Sequence, residues 1–160
     1  MPQDDLMVKM ILSAWNIQVS RADKLLEALS DEQLLQEIAP GRNRGYYILG
    51  HLTGIHDMMV ELLDLGQRKY PLLENQFVSN PDKADIPRPP MDELRNCWKE
   101  VSERIDRLFG RVKAEQWFQK HRSISEADFE KEPHRNKLSV VITRTNHLAY
   151  HLGQLVLLKS

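Results

Sequence analysis

The run LSVVITRTNHLAYHLGQLVLL fills residues 138–158, and its reading decides the fold of the whole chain. It holds no proline and a single glycine, Gly153, so nothing in it forbids one continuous helix over about 137–158. At about 100° per residue, Val141, Ile142, Leu148, Ala149, Leu152, Leu155 and Val156 form one apolar stripe. His147 and His151 border that stripe, in line with Val140 and Leu158, and therefore face a cleft between helices rather than open water. Four residues apart on a helix, they project from one face a single turn apart. Two neutral imidazoles so placed can grip one transition-metal ion. The residues between them are Leu148, Ala149 and Tyr150, with no glutamate. A zinc-protease reading therefore lacks its general base.

Working outward, the same period recurs three times. Residues 3–29 carry Leu6, Met10, Ala14, Ile17, Arg21, Leu25 and Leu29 at helical spacing, with no proline among them. Ser30-Asp31-Glu32-Gln33 has the pattern of a capping box and opens a short segment over 31–37, which Pro40-Gly41 ends. A second long helix is predicted over 45–66, with Tyr47, Ile48, Leu52, Ile55, Met58, Met59, Leu62 and Leu65 as its stripe and Gly66 as its stop. His51 lies inside that stripe. His56, five residues on, is expected to turn away towards the edge. Pro71, Pro81, Pro87, Pro89 and Pro90 break the 67–90 segment into a long connection, a length that in a compact domain points to function or disorder. Pro90-Met91-Asp92 starts a third helix over about 91–109, with Leu94, Cys97 or Trp98, Val101, Ile105 and Leu108 facing inward and Gly110 ending it. A short helix is expected at 113–119. Residues 120–137 read as polar and irregular, with His121 and His134 exposed in loops.

Four long helices, no period-2 strand and no internal repeat predict an all-α four-helix bundle spanning 1–160 as a single domain. The long connection between helices two and three leaves room for a crossover. The composition is that of an ordinary globular protein: 41% hydrophobic, 28% charged, net charge −1. With no basic block, nucleic acid is not an expected partner. No apolar run approaches the ~20 residues that cross a bilayer, so no membrane span is expected either. The lone cysteine, Cys97, cannot close an internal disulfide, and Asp4 and Asp5 stand where a signal peptide would be basic. The expectation is a cytoplasmic protein.

Chemistry concentrates on three histidines. His51 on helix two joins His147 and His151 on helix four if those helices pack side by side. Three nitrogen ligands with open remaining positions make a reactive or exchangeable site rather than a closed structural one. Imidazoles suit Zn, Ni, Cu or Fe(II). Against this stands the ordinary role of a histidine on an apolar stripe, a core residue hydrogen-bonded to a neighbour. Gln154, three residues beyond His151, shares the face and could orient an imidazole. Tyr47, one turn before His51, either offers a phenol to the cleft or packs in the core. Asp57 points away and is not a ligand. Cys97 packs as a small apolar residue. Di-iron bundles need paired Glu-x-x-His motifs, which the chain lacks, and the fourth helix is too poor in cations, with only Arg144 and its terminal lysines, to serve as a nucleic-acid recognition helix.

The segment YYILGHL at 46–52, followed by NHLAYHLGQL at 146–155, resembles the DinB superfamily. Leu29-Ser30-Asp31-Glu32-Gln33-Leu34 is similar to the short segment before that family's second helix, and Pro90-Met91-Asp92-Glu93-Leu94 to the start of its third. The likeness runs over essentially the whole chain. It implies a four-helix bundle connected up-down-down-up, with the 67–90 crossover between helices two and three. It also implies a divalent metal ion (Zn, Ni or Fe) held by His51, His147 and His151, and a homodimer. Characterised members are mostly metal-dependent transferases and isomerases that use low-molecular-weight thiols, such as bacillithiol. The resemblance therefore implies a metal-binding protein with a thiol S-transferase activity on small electrophiles. The alternative is a bundle that binds metal or a small ligand without turnover, linked to stress responses. Arg68, Lys69, Lys83 and Arg88 of the crossover are the sequence's candidates for holding an acidic thiol, against a plain solvated loop.

Overall fold

The computed structural model describes residues 1–159. Four long helices dominate it: α1 (Gln3–Ala28), α3 (Gly45–Leu62), α5 (Met91–Phe109) and α7 (Lys137–Leu155). Three short ones lie between them: α2 (Asp31–Leu34), α4 (Leu72–Phe77) and α6 (Glu126–Lys131). Single 3-10 turns follow at Ala114–Phe118 and Val156–Leu158. Among the described residues there are no strands, only the isolated bridges Glu37–Arg44 and Lys120–Asn136. The protein is an all-α bundle.

The core draws on every long helix: Trp15, Ala22 and Leu26 from α1, Ile48, Leu49, Leu52 and Met59 from α3, Leu94, Val101 and Ile105 from α5, Val141, Leu148 and Leu155 from α7. α3 is the most enclosed element, with 14 of its 18 residues buried. It is flanked by α4, α5 and α7. α3 and α5 run in the same sense: the Tyr46 hydroxyl donates to the Pro89 carbonyl at one end, and Arg104 approaches Asp57 to 3.9 Å further along. The connection between them must therefore travel back along the bundle.

That connection is ordered, and most of its polar groups have partners. Leu72–Phe77 forms α4, which the prolines around it do not announce. Buried Asp57 accepts the N–H groups of Lys69 and Tyr70 at 3.0 and 2.6 Å, fixing the exit from α3. Buried Asp82 accepts the backbone N–H of Arg44 at 2.8 Å and its guanidinium at 2.6 Å, tying the loop to the start of α3. Arg88 donates to the carbonyls of Gln76, Pro81, Asp82 and Ala84 and lies over the rings of Tyr47 and Phe77. Arg68 pairs with Glu61 and Glu74, Lys69 with Glu100, and Lys83 with Glu37. All four cations suggested as ligand contacts thus have internal partners, and none of them is left free for a ligand.

Element boundaries follow local chemistry. The Ser30 hydroxyl accepts from Gln33 N–H, and the Gln33 side chain accepts from Ser30 N–H, so the capping box is complete. The guanidinium of Arg95 on α5 donates to the carbonyls of Leu26 and Leu29 and so closes the end of α1. α3 stops at Leu62, four residues short of the expected end. Asp64 takes a left-handed φ of 56°, with Asp64 N–H on Glu61 O and Leu65 N–H on Val60 O. This is a Schellman closure with aspartate where glycine is usual, so the stop has no glycine to mark it. The 120–137 stretch contains α6, capped by Ser125. On α1 the expected stripe is displaced. Leu6, Met10 and Ile17 are exposed, and the face that packs is Val8, Trp15, Ala22, Leu25 and Leu26. His121 is half-buried rather than exposed, whereas His134 is exposed.

Candidate metal centre

α3 and α7 lie side by side, and the contact brings the three histidines together. His147 Nε2 sits 3.1 Å from His51 Nε2 and 3.2 Å from His151 Nε2. Three nitrogens coordinating one ion at about 2.05 Å in a tetrahedral arrangement would lie about 3.3 Å apart, so the spacing fits a common ligand shell. All three side chains are half-buried.

The outer nitrogens explain which way the inner ones face. His51 Nδ1 lies 3.0 Å from the carbonyl oxygen of Phe77, the last residue of α4. A carbonyl only accepts, so Nδ1 carries the hydrogen and Nε2 presents a lone pair. His151 Nδ1 lies 2.7 Å from Gln154 Oε1, and the Gln154 amide nitrogen donates to the Tyr150 hydroxyl at 3.3 Å, which fixes the amide's orientation. His151 Nε2 therefore also presents a lone pair. Two lone pairs pointed at one spot, with the third imidazole nitrogen between them, are stabilised by a positive centre there: the hydrogen of His147 Nε2 in the metal-free protein, or a bound cation in its place. Supports of this kind are what orient metal-binding histidines.

Burial pushes all three imidazoles below the ordinary histidine pKa, His147 furthest, to about 4, with the neighbouring His151, His51 and Arg144 adding to its shift. At neutral pH the triad is uncharged and its nitrogens are available as ligands. His147 Nδ1 is buried without a partner.

The other candidates fall outside this cluster. Tyr47 is buried, and its ring stacks on His51 at 6.3 Å between centroids. Its hydroxyl donates to Asn80 O at 2.7 Å, so it anchors the crossover rather than offering a phenol to the site. Asp57 serves the α3 exit. Cys97 is buried in the core, with burial pushing its thiol pKa up. His56, placed near the edge by its angle on the helix, is instead fully buried between Trp15 and Trp98, with ring centroids 4.9 and 5.3 Å away. Both its nitrogens lack partners, and burial pushes its pKa down to about 3. The angle misleads because α3 is enclosed on nearly all sides.

Two contributors are not among the sequence's candidate site residues. One is the Phe77 carbonyl, a backbone atom on an unexpected helix. The other is Arg144, one turn before His147, whose charge lowers the pKa of His51, His56 and His147.

Comparison with curated proteins gives no match. The sequence profile of the DinB superfamily matches residues 14–155, a span that begins within α1 and covers α3, α5 and α7 with all three histidines. Together with the all-helical bundle, that match means the chain belongs to the DinB superfamily.

Proposed function

We propose that this protein binds a divalent metal ion through His51, His147 and His151 and uses it to transfer a low-molecular-weight thiol of the bacillithiol type to a small electrophile. The observation that carries the reading is the convergence of three Nε2 atoms, two of them with tautomers set by Phe77 O and Gln154 Oε1. A bound Zn, Ni or Fe(II) ion would act there as a Lewis acid that lowers the pKa of a thiol and fixes its position. The chain's own contribution is positional. The Phe77 carbonyl and Gln154 hold two imidazoles in the ligating tautomer, and the half-buried setting keeps all three neutral. In the transfer, a sulfur–carbon bond forms, the electrophile's leaving group departs with its electron pair, and the thiol proton passes to solvent. Among the described residues, no acidic side chain joins the three histidines to bind the metal more tightly or fill its remaining positions.

The reading is tested with the zinc-loaded protein, a small thiol and monochlorobimane as a generic electrophile. Conjugation above the uncatalysed rate, lost in His147→Ala, supports it. Stoichiometric zinc without any acceleration over a panel of thiols would leave the non-catalytic metal-binding bundle as the better account.

We also propose that the protein works as a homodimer in a cytoplasmic, reducing setting. Leu6, Met10 and Ile17 lie on one exposed stripe of α1, and Ile142 on the neighbouring α7 and Val156 in the 3-10 turn after it are also exposed. Apolar side chains aligned in this way favour burial against a second copy. Light scattering that gives a monomer at micromolar concentration would refute this. Among the described residues, no helix is long and apolar enough to cross a membrane.

A further inference from the structure

A cleft of about 270 Å³ opens between the end of α3 and the start of α7, and Arg144, one turn of helix before His147, lines it. Its lining includes Leu62, His121, Arg135, Thr143 and Arg144, and no carboxylate. Arg135 is turned partly to Glu132 at 3.0 Å. Arg144 has no such partner: its Nε is buried without a hydrogen bond, and no ion pair forms to it among the described residues. Burial alone acts on its guanidinium, lowering its pKa, with no acidic neighbour to offset the cost. An unpaired, partly desolvated guanidinium is costly to keep, and its planar fork fits a carboxylate. His121 adds a second donor. Its Nδ1 accepts from Ser123 N–H at 3.2 Å, so its Nε2 carries the hydrogen. The contrast with the crossover matters, because Arg68, Lys69, Lys83 and Arg88 are all engaged within the protein.

We propose that this cleft binds the carboxylate end of the small molecule whose thiol end lies at the histidine triad, with Arg144 as the principal contact and His121 as a second donor. The inference rests on the thiol-transfer reading for the identity of the other end of that molecule. Arg144 and His147 are three residues apart, about 4.5 Å along the helix axis, so a two-carbon spacer between sulfur and carboxylate is a suitable probe.

The test uses 3-mercaptopropionate and its neutral counterpart 2-mercaptoethanol. In metal-free protein, 3-mercaptopropionate should shift the Arg144 Nε–H NMR resonance saturably. That resonance is identified by its loss in Arg144→Met, and 2-mercaptoethanol should leave it in place. In cobalt-loaded protein, followed by near-ultraviolet absorption, 3-mercaptopropionate should bind roughly tenfold or more tightly than 2-mercaptoethanol, the effect of one charge-assisted contact. The ratio should fall towards one in Arg144→Met, with far-ultraviolet circular dichroism showing the same helical fold as wild type. Arg144→Lys should keep part of the preference. Absence of a saturable shift, or a ratio unchanged in Arg144→Met, overturns the proposal. If cobalt does not bind at all, the metal reading fails, and the metal-free titration still decides whether the cleft holds a carboxylate.

Discussion

Replacing Gly50 with alanine probes how closely the triad depends on packing one residue away. Gly50 lies mid-helix on α3, directly before His51, and a Cβ added there would fall within the Phe77 ring. Phe77 is fully buried, so the ring has little room to retreat. In an exposed helix, Gly→Ala would stabilise by about 1 kcal/mol. Overpacking a filled core costs about 1–3 kcal/mol. The net expectation is a loss of up to about 2 kcal/mol, or a fall in Tm of up to roughly 8 °C for a chain of this length. The site should suffer as well, because any shift of Phe77 moves the carbonyl that orients His51. Loss of such an outer support weakens metal affinity by roughly 10–100-fold. Gly153→Ala is the control. It lies on α7 between His151 and Gln154, with nothing within 4 Å of an added Cβ. That variant should gain about 0.5–1 kcal/mol and keep its metal affinity. Thermal unfolding by circular dichroism and cobalt titration read both quantities. A Gly50→Ala protein as stable as wild type, with the same cobalt affinity, would refute the claim that Phe77 and its carbonyl lock the site.

Two further predictions follow from the surroundings of the triad. His56 has two unpartnered buried nitrogens and a pKa of about 3, so the folded state resists the proton that the unfolded chain accepts. Stability is therefore full above about pH 6.5 and falls as the pH drops towards 3, by about 1.4 kcal/mol per pH unit from this group. His56→Leu should be neutral or mildly stabilising at pH 7 and should flatten that slope in urea titrations; a variant whose acid sensitivity matches wild type would contradict this. Gln154→Leu frees His151 to turn, so cobalt affinity should drop roughly tenfold with little change in metal-free Tm; an unchanged affinity would exclude Gln154 from the site.

Helical periodicity was enough to read the four long helices and the three histidines, because burial on one face of a helix leaves a regular trace. It was weakest where a helix is surrounded. On α3 nearly every angle is inward, so His56 looked peripheral although it is fully buried. On α1 the period holds and the expected face is buried only towards its end, at Leu25 and Leu29: Leu6, Met10 and Ile17 keep helical spacing yet lie outside, while Trp15 and Ala22 pack inward. The crossover was legible only as a break. Its prolines concealed α4, and its cations looked available because the partners that occupy them, Glu61, Glu74, Glu100 and Glu37, are distant or unpatterned in sequence. Arg144 carries no mark of a site residue in the sequence for the opposite reason. A cation near the middle of a helix is ordinary, and only the fold reveals that no carboxylate answers it.

The central claim is that three imidazoles from two helices hold one metal ion. The most direct measurement is elemental analysis of untagged wild-type protein beside a His51→Ala, His147→Ala double variant, each as purified and after reconstitution with Zn, Ni or Fe(II). The account predicts close to one ion per chain in the wild type and loss of that ion in the variant. Absence of metal from both after reconstitution, or equal occupancy in both, would contradict it.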